Sequence, residues 1–217
     1  MSSPPKILIP RLFFSRRPSA EPSRRLPPHT VVIVSGLPRS GTSMMMRMLA
    51  AGGLPILSDG LRAADPDNPE GYYEFERVKQ LDKGDTTWLA EAEGKAVKVI
   101  SALLEYLPTS YHYRVLFMNR RMGEILASQR KMLARRGENS TVTDEQLAAI
   151  LEKHVRKVKS WLSTQPHFRL LDVDYNAMLV EPQPHVSRIN RFLEGILDEA
   201  RMVSVINPAL YRNRERS

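Results

Sequence analysis

Val31 to Val34 form an uninterrupted run of four β-branched residues, the pattern of a strand buried on both faces. Further strand candidates, less uniformly β-branched, lie at 55–58, 96–100, 114–118 and 169–173, so five strands are predicted, the first over 31–35. Between them the apolar positions switch to helical spacing, over 44–51, 77–93, 101–107 and 122–136. Strands alternating with helices predict an α/β domain built on a parallel sheet of about five strands, with helices covering both faces. Residues 143–163 read as a long amphipathic helix. Leu147, Ile150, Leu151, His154, Val155, Val158 and Leu162 share one stripe, and Asp144 and Glu145 occupy the first turn, where carboxylates suit the helix dipole. That stripe is expected to face the core. There is no internal repeat and no sign of a second domain.

The turn after the first strand carries the chemistry. Gly36-Leu-Pro-Arg-Ser-Gly41-Thr42-Ser43 joins that strand to a helix. Small residues there let backbone N–H groups converge, and the helix start adds its own amides and positive dipole end. A phosphate suits such a place, and Ser40, Thr42 and Ser43 add hydroxyl donors. The loop approaches a P-loop, G-x-x-x-x-G-K-[ST], so the sheet is of P-loop type, but Thr42 stands where that motif needs lysine. Without that ammonium the chain is poorly equipped to hold ATP for phosphoryl transfer. Its only loop cation is Arg39, which can stabilise charge on an oxygen next to the bound phosphate.

Gly36-Leu-Pro-Arg-Ser-Gly-Thr-Ser43 resembles the 5′-phosphosulfate loop of the sulfotransferases that use 3′-phosphoadenosine 5′-phosphosulfate (PAPS), P-[KR]-[SC]-G-T-[TS]. The resemblance implies a catalytic Arg39 and a cofactor loop made by Gly36, Pro38, Arg39, Ser40, Gly41, Thr42 and Ser43. A second segment extends it. In that family a strand ends in an arginine, and a serine eight residues later sits on the next helix, both on the 3′-phosphate. Arg120 and Ser128 stand eight apart after the fourth strand. Eight residues is a little over two helical turns, so both can face one cavity. Tyr175 falls where some members place a tyrosine near adenine, although Asn176 and Ala177 replace the usual acidic pair. Met44 also departs, standing where an aromatic residue often stacks on the base.

Residues 65–76, D-P-D-N-P-E-G-Y-Y-E-F-E, are similar to N-P-x-G-[YFW]-x-E, found in many bacterial and Golgi-like members close to the acceptor entrance. Proline and glycine mark a loop, and Tyr72, Tyr73 and Phe75 give it aromatic surface. Transfer to a hydroxyl or amine needs a base. Glu74 is the first candidate, with Glu76 and His112 as alternatives. The cofactor implied is PAPS, leaving PAP as product, with no metal.

Composition narrows the picture. The chain has 217 residues with 42% hydrophobic content and no cysteine, which suits one medium domain, excludes disulfides and thiolate metal sites, and makes the cytoplasm the expected compartment. No apolar stretch reaches the roughly 20 residues of a transmembrane helix. The net charge of +8 lies at the ends: residues 1–29 carry +5 and residues 201–217 carry +3, with the remainder balanced. A neutral body argues against a nucleic-acid face. Residues 1–29 are expected to be a disordered, basic, proline-rich arm, and residues 30–217 the single domain. Arg212 and Arg214 are candidates to close over the 3′-phosphate.

Two other functions remain open on the sequence. One is a P-loop kinase or NTPase with Asp172 or Asp174 in the role of a Walker B acid. The other is a non-catalytic nucleotide-binding protein. The acceptor and the oligomeric state are not written in the sequence.

Overall fold

A computed structural model describes residues 25–62, 65, 71–138 and 142–206. Most of the expected N-terminal arm, part of the 65–76 loop, Arg212 and Arg214 lie outside the described residues. Five parallel strands form one sheet in the order β2-β3-β1-β4-β5. They are β1 (Thr30–Gly36), β2 (Ile56–Leu57), β3 (Ala96–Lys98), β4 (His112–Asn119) and β5 (Phe168–Asp174). The α-helices are α1 (Thr42–Ala51), α2 (Leu89–Ala92), α3 (Met122–Arg136), α4 (Asp144–Ser163), α5 (Tyr175–Val180), α6 (Pro182–Phe192) and α7 (Glu199–Ser204). The expected α/β architecture is therefore the observed one.

Alternate residues of β1 feed two cores. Val32 and Val34 join Leu116, Met118 and Val173 under α1, α5, α6 and α7. Val31 and Ile33 join Val115, Phe117, Trp88 and Leu104 on the other face. Every residue of β1 is buried, which is why its sequence is continuously apolar rather than alternating. Arg114 is the polar exception inside β4. Its guanidinium donates to the Phe192 carbonyl at 2.8 Å and pairs with Glu194, fastening the end of α6 to the sheet.

Several expectations need correction. Residues 77–93 are not one helix. A 3₁₀ helix, Glu76–Lys83, stops at Gly84, whose φ of +86° turns the chain away before α2. Residues 101–107 likewise form a 3₁₀ helix, Ser101–Tyr106. The α4 stripe is not core along its length: only Leu162 is buried, and Val155, Val158 and Trp161 pack at the margin. Leu147 and Leu151 are half-exposed and Ile150 is 58% exposed. The helix is fixed instead by a capping box, Thr143 with Gln146, and by the bond between His154 and Ser101 at 2.8 Å.

Candidate active site

Because β1 and β4 are parallel and in register from Thr30–His112 to Gly36–Met118, the turns after them emerge at one edge of the sheet, where ligands bind in open α/β folds. The β1 turn is tightly built. Gly36 has φ of +143°, and a Cβ there would meet the Met118 carbonyl at 2.7 Å. Arg39 adopts φ of +71° and Gly41 +99°. A left-handed arginine is uncommon and marks a loop held by its surroundings.

Those surroundings are the residues singled out in the sequence. Arg39 Nε donates to Ser128 Oγ at 2.9 Å, and Arg120 Nη1 donates to the Arg39 carbonyl at 3.0 Å. Arg120 also lies over the Tyr175 ring, 4.7 Å from its centre. Tyr175 in turn packs under Gly41. The structure thus gathers Arg39, Gly41, Arg120, Ser128 and Tyr175 into one cluster. The Ser40 amide closes a turn on Leu37, and its hydroxyl is buried with no hydrogen-bond partner among the described residues. Thr42 and Ser43 open α1, whose first-turn amides have no acceptor within the helix. Pro38 is exposed at the tip of the loop.

The other side of the loop is lined by β3. Lys98, at its carboxyl end, reaches Ser43 Oγ at 3.3 Å and the Tyr72 carbonyl at 2.9 Å. Glu74 Oε1 stands 3.9 Å from the same ammonium and 2.9 Å from Arg62 Nη1. Arg62 stacks on Tyr72, whose hydroxyl donates to Asp65. Burial pushes the Lys98 pKa down to about 8. Glu74 opposes that shift, while Arg62 and Arg39 add to it. Burial raises the Tyr175 hydroxyl, so this phenol stays neutral.

The candidate bases separate clearly. Glu74 is beside the loop. Glu76 starts the 3₁₀ helix, paired with Lys79. His112 opens β4 at the opposite end of the sheet, about 20 Å from the loop at 3.3 Å per residue, so it is removed from consideration. Parallel strands put the residue that opens β4 and the turn after β1 at opposite edges.

A family model described as a sulfotransferase domain matches residues 29–214. The chain belongs to that family. Three solved structures share the fold at low identity. One is the sulfotransferase domain from the curacin biosynthetic pathway, at 17% identity over 84% of this chain and 79% of that one, with a TM-score of 0.50. The sulfotransferase domain of the Synechococcus PCC 7002 olefin synthase is 18% identical over 88% of each chain, with a TM-score of 0.53. Retinol dehydratase, solved in a complex with retinol and PAP, is 19% identical over 88% of this chain and 68% of its own, with a TM-score of 0.50. No curated protein matches the chain.

In this sulfotransferase the acids considered for an NTPase are placed elsewhere. β5 is the sheet edge, separated from β1 by β4. Asp172 there pairs with Lys159, and Asp174 caps α5 by accepting from the Ala177 amide at 2.9 Å. A cavity of about 510 Å³ opens beside Arg120, lined also by Asn119, Arg121, Asn176 and His185. Among the described residues no cluster of His, Asp or Glu could hold a metal, and no helix is long and apolar enough to cross a membrane.

Arg62 and Lys98, which flank the loop, were not singled out in the sequence, and Asn176, beside Arg120 in the cavity, was noted there only as a departure from the family pattern. Lys98 carried one available signal, a lone lysine inside the apolar run 96–100. The close packing of the loop gives a first prediction. A Cβ at Gly41 would fall 2.3 Å from the Tyr175 ring, at a φ that L side chains rarely adopt. Gly41→Ala is expected to cost about 2 kcal/mol, read as a melting temperature lowered by several degrees. A melt within one degree of wild type would show that the ring moves aside freely.

Proposed function

We propose that this sulfotransferase takes its sulfuryl group from PAPS and delivers it to an acceptor hydroxyl or amine. The observation that carries the reading is the convergence of Arg39, Lys98 and Arg120 on the turn after β1, from three different strand ends. The donor set fits an anionic nucleotide. Arg39, Lys98 and Arg120 cluster about a loop rich in glycine and hydroxyl residues, and the buried Ser40 hydroxyl lacks a partner among the described residues. Retinol dehydratase, which shares the fold, was solved with PAP.

Gly36, Pro38, Arg39, Ser40, Gly41, Thr42 and Ser43 hold the 5′ end, Arg120 and Ser128 the 3′-phosphate, and Tyr175 supports that side as a wall of the loop. When bound, PAPS supplies an activated sulfuryl group on a phosphate leaving group. Arg39 and Lys98 place positive charge against the oxygen on which negative charge grows. Glu74, on the acceptor side of Lys98, removes the acceptor proton. Arg62 and Lys98 orient its carboxylate.

Thermal shift with PAP, AMP and magnesium ATP tests the donor. At one hundred times its dissociation constant PAP adds about 2.7 kcal/mol, a rise of roughly 5–10 °C for a domain of this size. AMP, lacking the 3′-phosphate, gives much less. A rise with magnesium ATP and none with PAP would return the kinase reading.

A further inference from the structure

A fully buried carboxylate that no role has yet claimed lies directly behind the cluster. Glu124 is completely inaccessible to solvent, and a carboxylate is costly to bury unless both oxygens are satisfied. Here both are. Oε2 accepts from Arg120 Nε at 2.9 Å, and Oε1 accepts from Asn176 Nδ2 at 2.9 Å. Asn176 Oδ1 accepts in turn from the Arg121 amide at 3.1 Å. Arg120, Glu124 and Ser128 stand at i, i+4 and i+8, from the turn leading into α3 along one face of the helix. The two outer members hold opposite ends of Arg39: Arg120 its carbonyl, Ser128 its guanidinium.

We propose that Glu124 is the positioning residue of this site, fixing the Arg120 guanidinium so that Arg39 is kept in its left-handed conformation facing the sulfuryl donor. The proposal rests on the PAPS reading above. Arg120 can donate to the Arg39 carbonyl through Nη1 because Nε is committed to Glu124 and its plane lies on Tyr175. Loss of the charge lets the guanidinium turn. The Arg39 carbonyl then loses its donor, and the strained φ has less to hold it. Asn176 completes the arrangement, since it supplies an amide donor where an acidic residue would repel Glu124.

The test compares Glu124→Gln, Asn176→Ala and the exchange Glu124→Gln with Asn176→Asp, using PAP calorimetry and steady-state kinetics. Glu124→Gln keeps the shape and removes the charge. Its PAP affinity and kcat are each expected to fall about tenfold, because small misplacements of catalytic groups carry large rate losses, while the acceptor KM stays within twofold. Asn176→Ala, which keeps the carboxylate and removes one donor, shows the same split at about threefold and carries the test if Glu124→Gln does not fold. The exchange returns the negative charge to the other end of the same hydrogen bond and recovers PAP affinity to within about threefold of wild type. Wild-type affinity in Glu124→Gln would overturn the proposal. So would an exchange no better than the single variant, or an acceptor KM that rises in step with the loss of PAP affinity. Failure of the wild type to bind PAP would instead overturn the donor reading, and it is seen before any variant is made.

Discussion

Arg39→Ala is expected to lower kcat by about 10²–10³-fold while PAP affinity falls less than about tenfold, because in the proposed reaction the charge Arg39 would neutralise is small in the bound state and large as the bond breaks. The structure supports this division of labour. Arg39 is held at its carbonyl by Arg120 and at Nε by Ser128, so its side chain is oriented before any ligand arrives. Alanine at position 39 leaves the backbone bond from Arg120 available, so most of the PAP affinity is expected to remain. Arg39→Lys restores the charge without the planar fork or the Nε bond to Ser128, and recovers only part of the rate. Arg120→Ala behaves in the opposite sense. It removes the donor to the loop and takes the guanidinium from Oε2 of the buried Glu124, so binding and stability are expected to suffer first. Single-turnover rates paired with PAP calorimetry separate the two variants. Equal turnover in wild type and Arg39→Ala would remove Arg39 from the mechanism.

How far the sequence foretold this site depended on how local each feature is. The segment 31–50 was legible because its strand is buried on both faces and so reads as unbroken apolar residues, and because glycines bracket a turn with positive φ at Gly36 and Gly41. Arg120 and Ser128 were legible through their spacing, one in the turn before α3 and the other on that helix. Their partner was not: both hold Arg39, 81 and 89 residues away, and only the register of β1 against β4 brings them there. The same holds for Glu74 and Lys98. Glu74 was legible as a candidate base in its own segment but its pairing with Lys98 was not, and they meet because β3 lies beside β1 and the 71–76 segment returns over its end.

Periodicity misled where packing, not pattern, decides. The α4 stripe is apolar from Leu147 to Leu162, but only its last third reaches the sheet, so the same pattern is core at one end and exposed at the other. The stretch 77–93 has helical spacing, yet Gly84 ends its first piece in a left-handed turn. Glu124 was hidden for another reason. A charged residue in a helix of mixed composition reads as solvated, and only its buried partners show otherwise.

Lys98→Met is expected to lower kcat by about 10²-fold and to raise stability at neutral pH. The ammonium is held by Ser43, Tyr72 and Glu74, but burial outweighs these contacts and draws its pKa from 10.5 down to about 8. A basic group whose folded pKa lies below its unfolded value destabilises the fold wherever it must be protonated. Above about pH 10.5 the lysine is neutral in both states and no penalty is felt. As pH falls from there through about 8 the penalty grows, reaching about 3 kcal/mol at 1.36 kcal/mol per unit. Methionine fills the same space without that charge, so the variant gains about 1–3 kcal/mol at pH 7 after the lost hydrogen bonds are counted, and the gain vanishes towards pH 10.5. Activity is expected to move the other way: wild-type kcat/KM for the donor declines as pH rises through about 8, where Lys98 of the free protein loses its proton. Urea unfolding at pH 7 and pH 10, set beside a pH profile of kcat/KM for the donor, checks both halves. A variant that is less stable than wild type at pH 7, or a stability gain that does not change with pH, would show that Lys98 is a structural ion-pair partner and not a charge kept in place at a cost to the fold for the sake of the transfer.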